Sequence, residues 1–153
     1  MSAPGTGSPW DVMPKHLGPW PSPEDREFWE GAGRGELRIQ RCGACRLHQH
    51  YARLLCSHCG SLDVDWVTAS GEGTVHSFTV VRQHGVPPFP DCVPFVVALV
   101  ELSERGARVL AAMPTVSPDA VAIGMPVRAT FRGAHDPQLG FVDFDAARPD
   151  ART

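Results

Sequence analysis

The sequence predicts a mainly β protein: a short N-terminal helix, a small ribbon organised by two cysteine pairs, and a five-stranded barrel of the OB type. Three observations carry this expectation. Glycine and proline number 15 each in 153 residues, which favours short strands joined by turns over long helices. Four of the five cysteines fall into two C-x-x-C pairs. Beyond them, strand-like segments succeed one another over about 80 residues with no helix of length, a pattern that suits a small closed barrel.

The elements follow in order. Residues 1–21 are rich in Ser, Gly, Thr and Pro and show no apolar period, so a disordered arm is expected, with Trp10 and Trp20 as isolated anchors. Residues 22–35 read as a helix. Ser22 can cap it, Pro23 suits its first position, and Glu24 and Asp25 favour the positive end of its dipole. The helix should display Phe28 and Trp29 and stop at Gly31, Gly33 and Gly35. Residues 36–61 form the ribbon, entered by the alternating Leu37-Arg38-Ile39-Gln40.

The barrel is expected over 62–145. Leu62, Val64 and Trp66 alternate with Asp63 and Asp65. Thr74 to Val81 is a strand, with Gly71 and Gly73 permitting a bend or bulge at its entry. After the stiff apolar loop Gly85-Val86-Pro87-Pro88-Phe89-Pro90 come a buried strand over 95–102, a turn at Ser103-Glu104-Arg105-Gly106, and strands over 107–113, 126–131 and 140–144. Residues 146–153 are expected to be a flexible tail. No internal repeat is visible.

The cysteine spacing is Cys42-x2-Cys45-x10-Cys56-x2-Cys59. Each pair can form a knuckle with both sulfurs on one side, and ten residues suffice for a hairpin that brings the knuckles face to face. Four thiolates then close a tetrahedral shell around one zinc ion, leaving no position for water, so the zinc is structural rather than catalytic. Gly43 and Gly60 are the positions expected to supply backbone freedom. Iron accepts the same ligands, but nothing nearby suggests an electron-transfer partner. His48, His50 and His58 read as surface histidines, and Cys92, the remaining cysteine, as a bystander.

The first twenty residues lack a basic start and an apolar core, so no secretory leader is read there. The longest apolar run, Val93 to Val100, is too short to span a bilayer. A cytoplasmic location is therefore expected, where thiols stay reduced and paired cysteines point to metal before disulfide. The net charge of −3 gives no general attraction to nucleic acid or to an anionic membrane. Locally the picture differs: five arginines and a single acid, Glu36, lie from Arg34 to Arg53.

From residue 24 to 145 the chain resembles a known family. The resemblance rests on Phe28-Trp29-Glu30-Gly31, Gly35-Glu36-Leu37-Arg38-Ile39-Gln40-Arg41-Cys42, Cys56-Ser57-His58-Cys59-Gly60-Ser61, the run from Gly71 to Val81, the run from Val93 to Leu102, and Ile123-Gly124-Met125-Pro126-Val127. These are small proteins that join an N-terminal helix, a rubredoxin-like zinc ribbon and a C-terminal OB-fold, long classed as a domain of unknown function. Members accompany thiolase-fold enzymes acting on acyl-CoA thioesters: thiolases, lipid-transfer-protein-like aldolases of sterol side-chain breakdown, and acyltransferases. Some are fused to or paired with hotdog-fold hydratases. The resemblance implies a non-catalytic accessory subunit that stabilises an acyl-CoA enzyme and helps to house the CoA.

Phe28, Trp29, Arg38, Arg41, Arg82 and Phe89 are the candidate contacts to CoA or to the partner, since guanidinium groups match phosphate bidentately and the loop from Arg82 to Asp91 is apolar and stiff. The competing class is a single-stranded nucleic-acid-binding protein, which also combines zinc ribbons with OB-folds. Such proteins unite positive charge with exposed aromatics, whereas residues 61–145 hold only five arginines, Arg82, Arg105, Arg108, Arg128 and Arg132, against more acids. An autonomous enzyme ranks third, because no catalytic motif stands out.

Overall fold

The computed structural model describes residues 18–83 and 93–148. The expected arm, apart from 18–21, lies outside them, as do the tail beyond 148 and the loop residues 84–92 with Phe89 and Cys92. Among the described residues one helix, α1 (Arg26–Gly33), precedes eight strands: β1 (Arg38–Cys42), β2 (His48–Gln49), β3 (Val64–Thr68), β4 (Glu72–Val81), β5 (Phe95–Leu102), β6 (Arg108–Met113), β7 (Pro126–Gly133) and β8 (Gly140–Ala146). Among the described residues, no helix is long and apolar enough to cross a membrane.

Helix α1 begins three residues later than the serine signal suggests. Asp25 is its N-cap residue, and Ser22 Oγ spends its proton on the Asp25 carboxylate at 3.0 Å instead of capping a backbone N–H. The C-terminus follows the expectation. Gly35 takes φ +78°, its N–H donates to the Ala32 carbonyl, and the Glu36 N–H reaches back to Gly31 at 2.8 Å, the paired bonds of a Schellman motif.

The strands form two antiparallel sheets, ordered β2-β1-β3 and β6-β5-β4-β7-β8. The strand over 64–68, read from sequence as part of the barrel, pairs instead along the whole of β1, from Arg38↔Thr68 to Cys42↔Val64. The ribbon sheet thus extends to Thr68. In the second sheet, β4 pairs with β5 along its length and with β7 only over Glu72–Thr74. This lets one strand serve both halves of a barrel. Its bulge lies between Val75 and Ser77 rather than at Gly71 or Gly73. Gly73 is needed for another reason: a Cβ there would meet the Glu101 carbonyl oxygen at 2.5 Å.

Alternation decides what faces inward. Val96, Ala98, Val100 and Leu102 of β5 and Val109, Ala111 and Met113 of β6 are buried. The same core takes in Phe28 and Ala32 from α1, Leu37, and Ile39 from β1, so helix, ribbon base and barrel share one interior. Phe28, expected on display, is therefore a core residue. The helix backbone lies so near β8 that a Cβ on Gly140 would meet the Ala32 carbonyl carbon at 2.6 Å.

Two polar features stabilise the ribbon and its junction with the barrel. Gln40 and Gln49 face each other across β1 and β2 and are both buried. Gln49 Nε2 donates to Gln40 Oε1 (2.7 Å) and to the Leu55 carbonyl (3.2 Å), while Gln49 Oε1 accepts the Ser57 N–H (2.7 Å) and Gln40 Oε1 that of Arg53 (2.8 Å). At the junction, His50 sits between the rings of Phe28 and Tyr51, with centroids 4.6 and 4.2 Å away. It is not the surface histidine expected from sequence: burial pushes its pKa down to about 4, against the weak raising effect of Asp25.

Two predictions follow from these features. Gln49→Leu leaves the Ser57 N–H and the Leu55 carbonyl without a partner, while Gln40 Oε1 keeps only the Arg53 N–H, and should cost on the order of 3 kcal/mol at about 1–3 kcal/mol per orphaned group. Denaturant melts of zinc-loaded protein measure this, and a loss below about 1 kcal/mol would contradict it. His50 is neutral when folded but protonates near its ordinary 6.5 when unfolded. Its depressed pKa therefore contributes no penalty above that value, and stability falls as pH drops from about 6.5 to about 4, by up to roughly 3 kcal/mol. His50→Phe should flatten that part of the pH profile relative to wild type.

Candidate metal centre

The site is built from two knuckles of the same design. In the first, the Arg46 N–H donates to the Cys42 carbonyl (3.0 Å) and the Cys42 N–H to the Leu47 carbonyl (2.9 Å); in the second, Gly60 pairs with Cys56 and Cys56 with Ser61, both at 2.9 Å. The residue after each second cysteine must turn left-handed: Gly60 has φ +76°, and Arg46 has φ 67°. Glycine provides this at no steric cost, arginine at some strain. Gly43 plays a different part from the one expected. It has no positive φ, but a side chain there would collide with the Asp63 carboxylate, whose residue accepts the Gly43 N–H on its carbonyl at 2.8 Å.

The knuckles bring the four sulfurs of Cys42, Cys45, Cys56 and Cys59 within 4.8 Å of one another. Cys42 Sγ lies 3.6 Å from Cys59 Sγ, and Cys45 Sγ 3.6 Å from Cys56 Sγ. These gaps are far beyond the roughly 2.05 Å of a disulfide. They match the edge of a tetrahedron with zinc–sulfur bonds of about 2.3 Å, which is about 3.8 Å. The Cys45 N–H points at Cys42 Sγ and the His58 N–H at Cys56 Sγ, both at 3.4 Å, dipoles that favour thiolate.

Proton affinities reflect the crowding. The Cys45 backbone N–H, with that of Ala44, holds the Cys42 thiol down to about 6 against the effect of burial. Cys45 goes the other way, up to about 12: the Leu47 N–H lowers it, but burial and the neighbouring sulfurs outweigh that. Four thiols this close cannot all ionise without a cation among them, and a dication bound by all four removes the conflict. The donor set therefore fits one zinc ion, held structurally by four sulfurs. The histidines stay outside that shell: His58 Nε2 lies 3.2 Å from the His48 carbonyl.

The other candidate residues fall in different places. Trp29 is half-buried, donates its indole N–H to Asp25 (3.1 Å) and packs edge-on against Phe141. With Phe28, His50, Tyr51 and the Arg132–Asp143 pair it lines a cavity of about 260 Å³ between β6 and β8. Arg38 is engaged internally, with Glu27 (2.9 Å), Thr68 (2.7 Å) and the Trp66 carbonyl (3.4 Å). Arg41 is half-buried, opposite His48 and Asp65, and Arg82 is exposed just after β4. The structure thus gathers the four cysteines; of the candidate contacts among the described residues it brings together Phe28 and Trp29 and leaves the arginines apart from them. The residues the sequence reading missed are Gln40 and Gln49; their only signal is polarity at inward positions of a strand pair, visible once the register is known.

Comparison with known proteins places these features in a family. Residues 29–65 match the model of the ChsH2 rubredoxin-like zinc ribbon domain, and residues 66–132 that of the ChsH2 C-terminal OB-fold domain. A probable enoyl-CoA hydratase alpha subunit of Thermomonospora curvata is 43% identical over 141 residues, covering 91% of this chain; the chain spans only 43% of that relative's length. A DUF35 domain-containing scaffold protein of Methanothermobacter thermautotrophicus is 35% identical over 102 residues, which are 65% of this chain and 74% of the relative. Among solved structures, a chain of the Ltp2-ChsH2(DUF35) aldolase superposes with a TM-score of 0.74 at 38% identity, over 86% of this chain and all of that one. With its four-sulfur ribbon and its OB-fold barrel, this chain belongs to the DUF35 family, in the form of the ChsH2 zinc ribbon and OB-fold domains.

Proposed function

We propose that the chain is a non-catalytic, zinc-held accessory subunit that binds and stabilises a thiolase-fold enzyme acting on acyl-CoA thioesters. The observation that carries this reading is the likeness to the ChsH2(DUF35) chain, whose structure is named for an aldolase. The hydratase alpha-subunit name of a second relative supports a hotdog-fold hydratase as a further companion. The metal centre agrees with a structural role, because four sulfurs leave no open coordination position for substrate. In this reading Trp29, Arg41, Arg82 and Phe89 remain the contacts to partner or CoA. Phe28 supports Trp29 from behind, at 5.1 Å between ring centroids, and Arg38 positions the helix through Glu27.

The charge pattern of the barrel speaks against nucleic acid. Arg108, Arg128 and Arg132 are paired with Glu101, Glu72 and Asp143 respectively, and a cation already neutralised in this way offers little to a phosphate. Retention of single-stranded DNA or RNA at physiological salt with micromolar affinity would reverse that ranking.

Elemental analysis of purified protein should find one zinc per chain. Chelation should unfold the ribbon, since structural zinc contributes on the order of 10 kcal/mol, and Cys42→Ser or Cys59→Ser should lower metal content and solubility together while Cys92→Ser leaves the metal unchanged. Protein holding iron, or no metal, contradicts this. For the partnership, thiolase-fold acyl-CoA enzymes of the same genome are co-expressed with this chain. The cognate enzyme should co-purify with it and be poorly soluble or inactive alone, and Trp29→Ala should weaken the complex more than it lowers the melting temperature. An enzyme that is soluble and fully active alone, with no complex on size exclusion, overturns the proposal.

A further inference from the structure

The cavity of about 260 Å³ between β6 and β8 has a topological origin. Among the described residues β6 pairs only with β5 and β8 only with β7, so these are the end strands of the barrel sheet and no hydrogen-bond ladder joins them. Consecutive residues line the gap, 109–112 from β6 and 141–143 from β8. Strand edges therefore border it as well as side chains, and an end strand carries N–H and C=O groups that no neighbouring strand takes up.

The rest of the wall is a row of rings in mutual contact. Phe141 meets Trp29 edge-on at 6.2 Å between centroids, Trp29 meets Phe28 at 5.1 Å, Phe28 meets His50 at 4.6 Å and His50 meets Tyr51 at 4.2 Å. The row is held in place from outside the cavity. Phe28 is rooted in the core, the Trp29 indole N–H donates to Asp25, and Arg132 lies over Phe141 while it pairs with the buried Asp143. Walls fixed in advance lower the cost of binding.

His50 gives this apolar space a polar point. Phe28 and Tyr51 lie against its ring, so the part it presents to the cavity is an edge, where the nitrogens are. Neither nitrogen has a hydrogen-bond partner among the described residues, and neither is sealed from solvent. A neutral imidazole offers one donor and one acceptor. Charge is discouraged here. Asp143 already cancels Arg132, and Asp25 adds a negative charge that disfavours an anion. The same desolvation that keeps His50 unprotonated disfavours a cation. Volume sets the size: a dry cavity of about 150 Å³ accepts benzene, and pockets for drug-sized ligands begin at roughly 300 Å³. The space between those limits suits one or two fused rings and is too small for an added strand.

We propose that this cavity is a binding site for a small uncharged compound of one or two fused rings, bearing a hydroxyl or carbonyl group that bonds to His50. The aromatic row and the aliphatic side chains of β6 cover the rings, and the polar group meets the imidazole edge. The site is separate from the metal centre and independent of the accessory-subunit reading.

The test is equilibrium dialysis of the full-length, zinc-loaded chain at neutral pH. β-Naphthol should bind at least tenfold more tightly than naphthalene, which has the same rings without the hydroxyl, and at least tenfold more tightly than the anion naphthalenesulfonate. His50→Phe keeps a ring between Phe28 and Tyr51 and should bring β-naphthol within threefold of naphthalene. Ala112→Phe, which fills the cavity from β6, should abolish the binding of both. Melting temperature and zinc content establish that each variant is folded; should Ala112→Phe fail to fold, His50→Phe carries the test. Wild type that takes up no β-naphthol, or takes it up no better than naphthalene, overturns the proposal. Binding that neither variant alters places the compound elsewhere and overturns it too. So does loss of bound β-naphthol when a co-purifying acyl-CoA enzyme is added, because the cavity is then a seat for that partner.

Discussion

The convergence of four sulfurs on one point is the constraint on which the ribbon depends. A three-stranded sheet of this size, one of whose strands is only two residues long, cannot bury enough apolar surface to offset its conformational entropy. Metal coordination takes the place of the missing core. The position of β1 makes this local fact matter to the whole molecule. Its Cys42 ends on the metal, its Gln40 holds Gln49 and the Arg53 N–H ahead of the second knuckle, and its Ile39 is wholly buried in the barrel core. One five-residue strand thus joins the zinc, a buried amide network and the hydrophobic interior.

Much of this was legible in the sequence. The C-x-x-C spacing revealed the metal site because ligand geometry leaves few other uses for that pattern, and strand β5 was readable to the residue because a short apolar run rich in valine ends there at an evident turn, Ser103-Glu104-Arg105-Gly106. The misreadings have a common physical origin. The segment over 64–68 has the alternation of a barrel strand, but alternation reports that one face is buried and not which sheet buries it. Ser22 has the right chemistry for a cap, yet its hydroxyl donates to Asp25, the N-cap residue, whose own carboxylate receives the Trp29 indole and caps no backbone N–H. His50 looks like any loop histidine until the fold lays Phe28 and Tyr51 against it. Gly43 and Gly60 look equivalent, although one is required by the Asp63 carboxylate and the other by its own φ.

Electrostatics divides the molecule in a way that neither its net charge nor its residue counts disclose. The helix-proximal arginines are consumed internally: Arg34 and Arg38 both reach Glu27, and Arg38 ties the helix to β3 through Thr68. On the barrel, arginines and carboxylates pair across strands. Exposed pairs of this kind add little stability, but they cancel the barrel's own positive field. Arg132 is the exception in depth: its partner Asp143 is buried, and its guanidinium also lies 4.8 Å over the Phe141 ring. On the ribbon, exposed Arg46 and Arg53 share the surface with exposed Asp63 and Asp65.

The ribbon's apolar surface and its metal site are two aspects of one solution. In a hairpin stabilised by hydrophobic contacts, Leu54, Leu55 and Leu62 would turn inward, because their burial would supply the folding energy. Here zinc supplies it, and the interior of the ribbon is filled by sulfur and by the Gln40–Gln49 amides. The leucines are thereby released from any duty to the fold. They remain exposed on a backbone that coordination has already ordered, so a partner that covers them does not have to meet the entropic cost of ordering the segment. A closed tetrathiolate site with no open coordination position can in this way shape a surface: it orders a segment whose apolar side chains the fold itself does not bury.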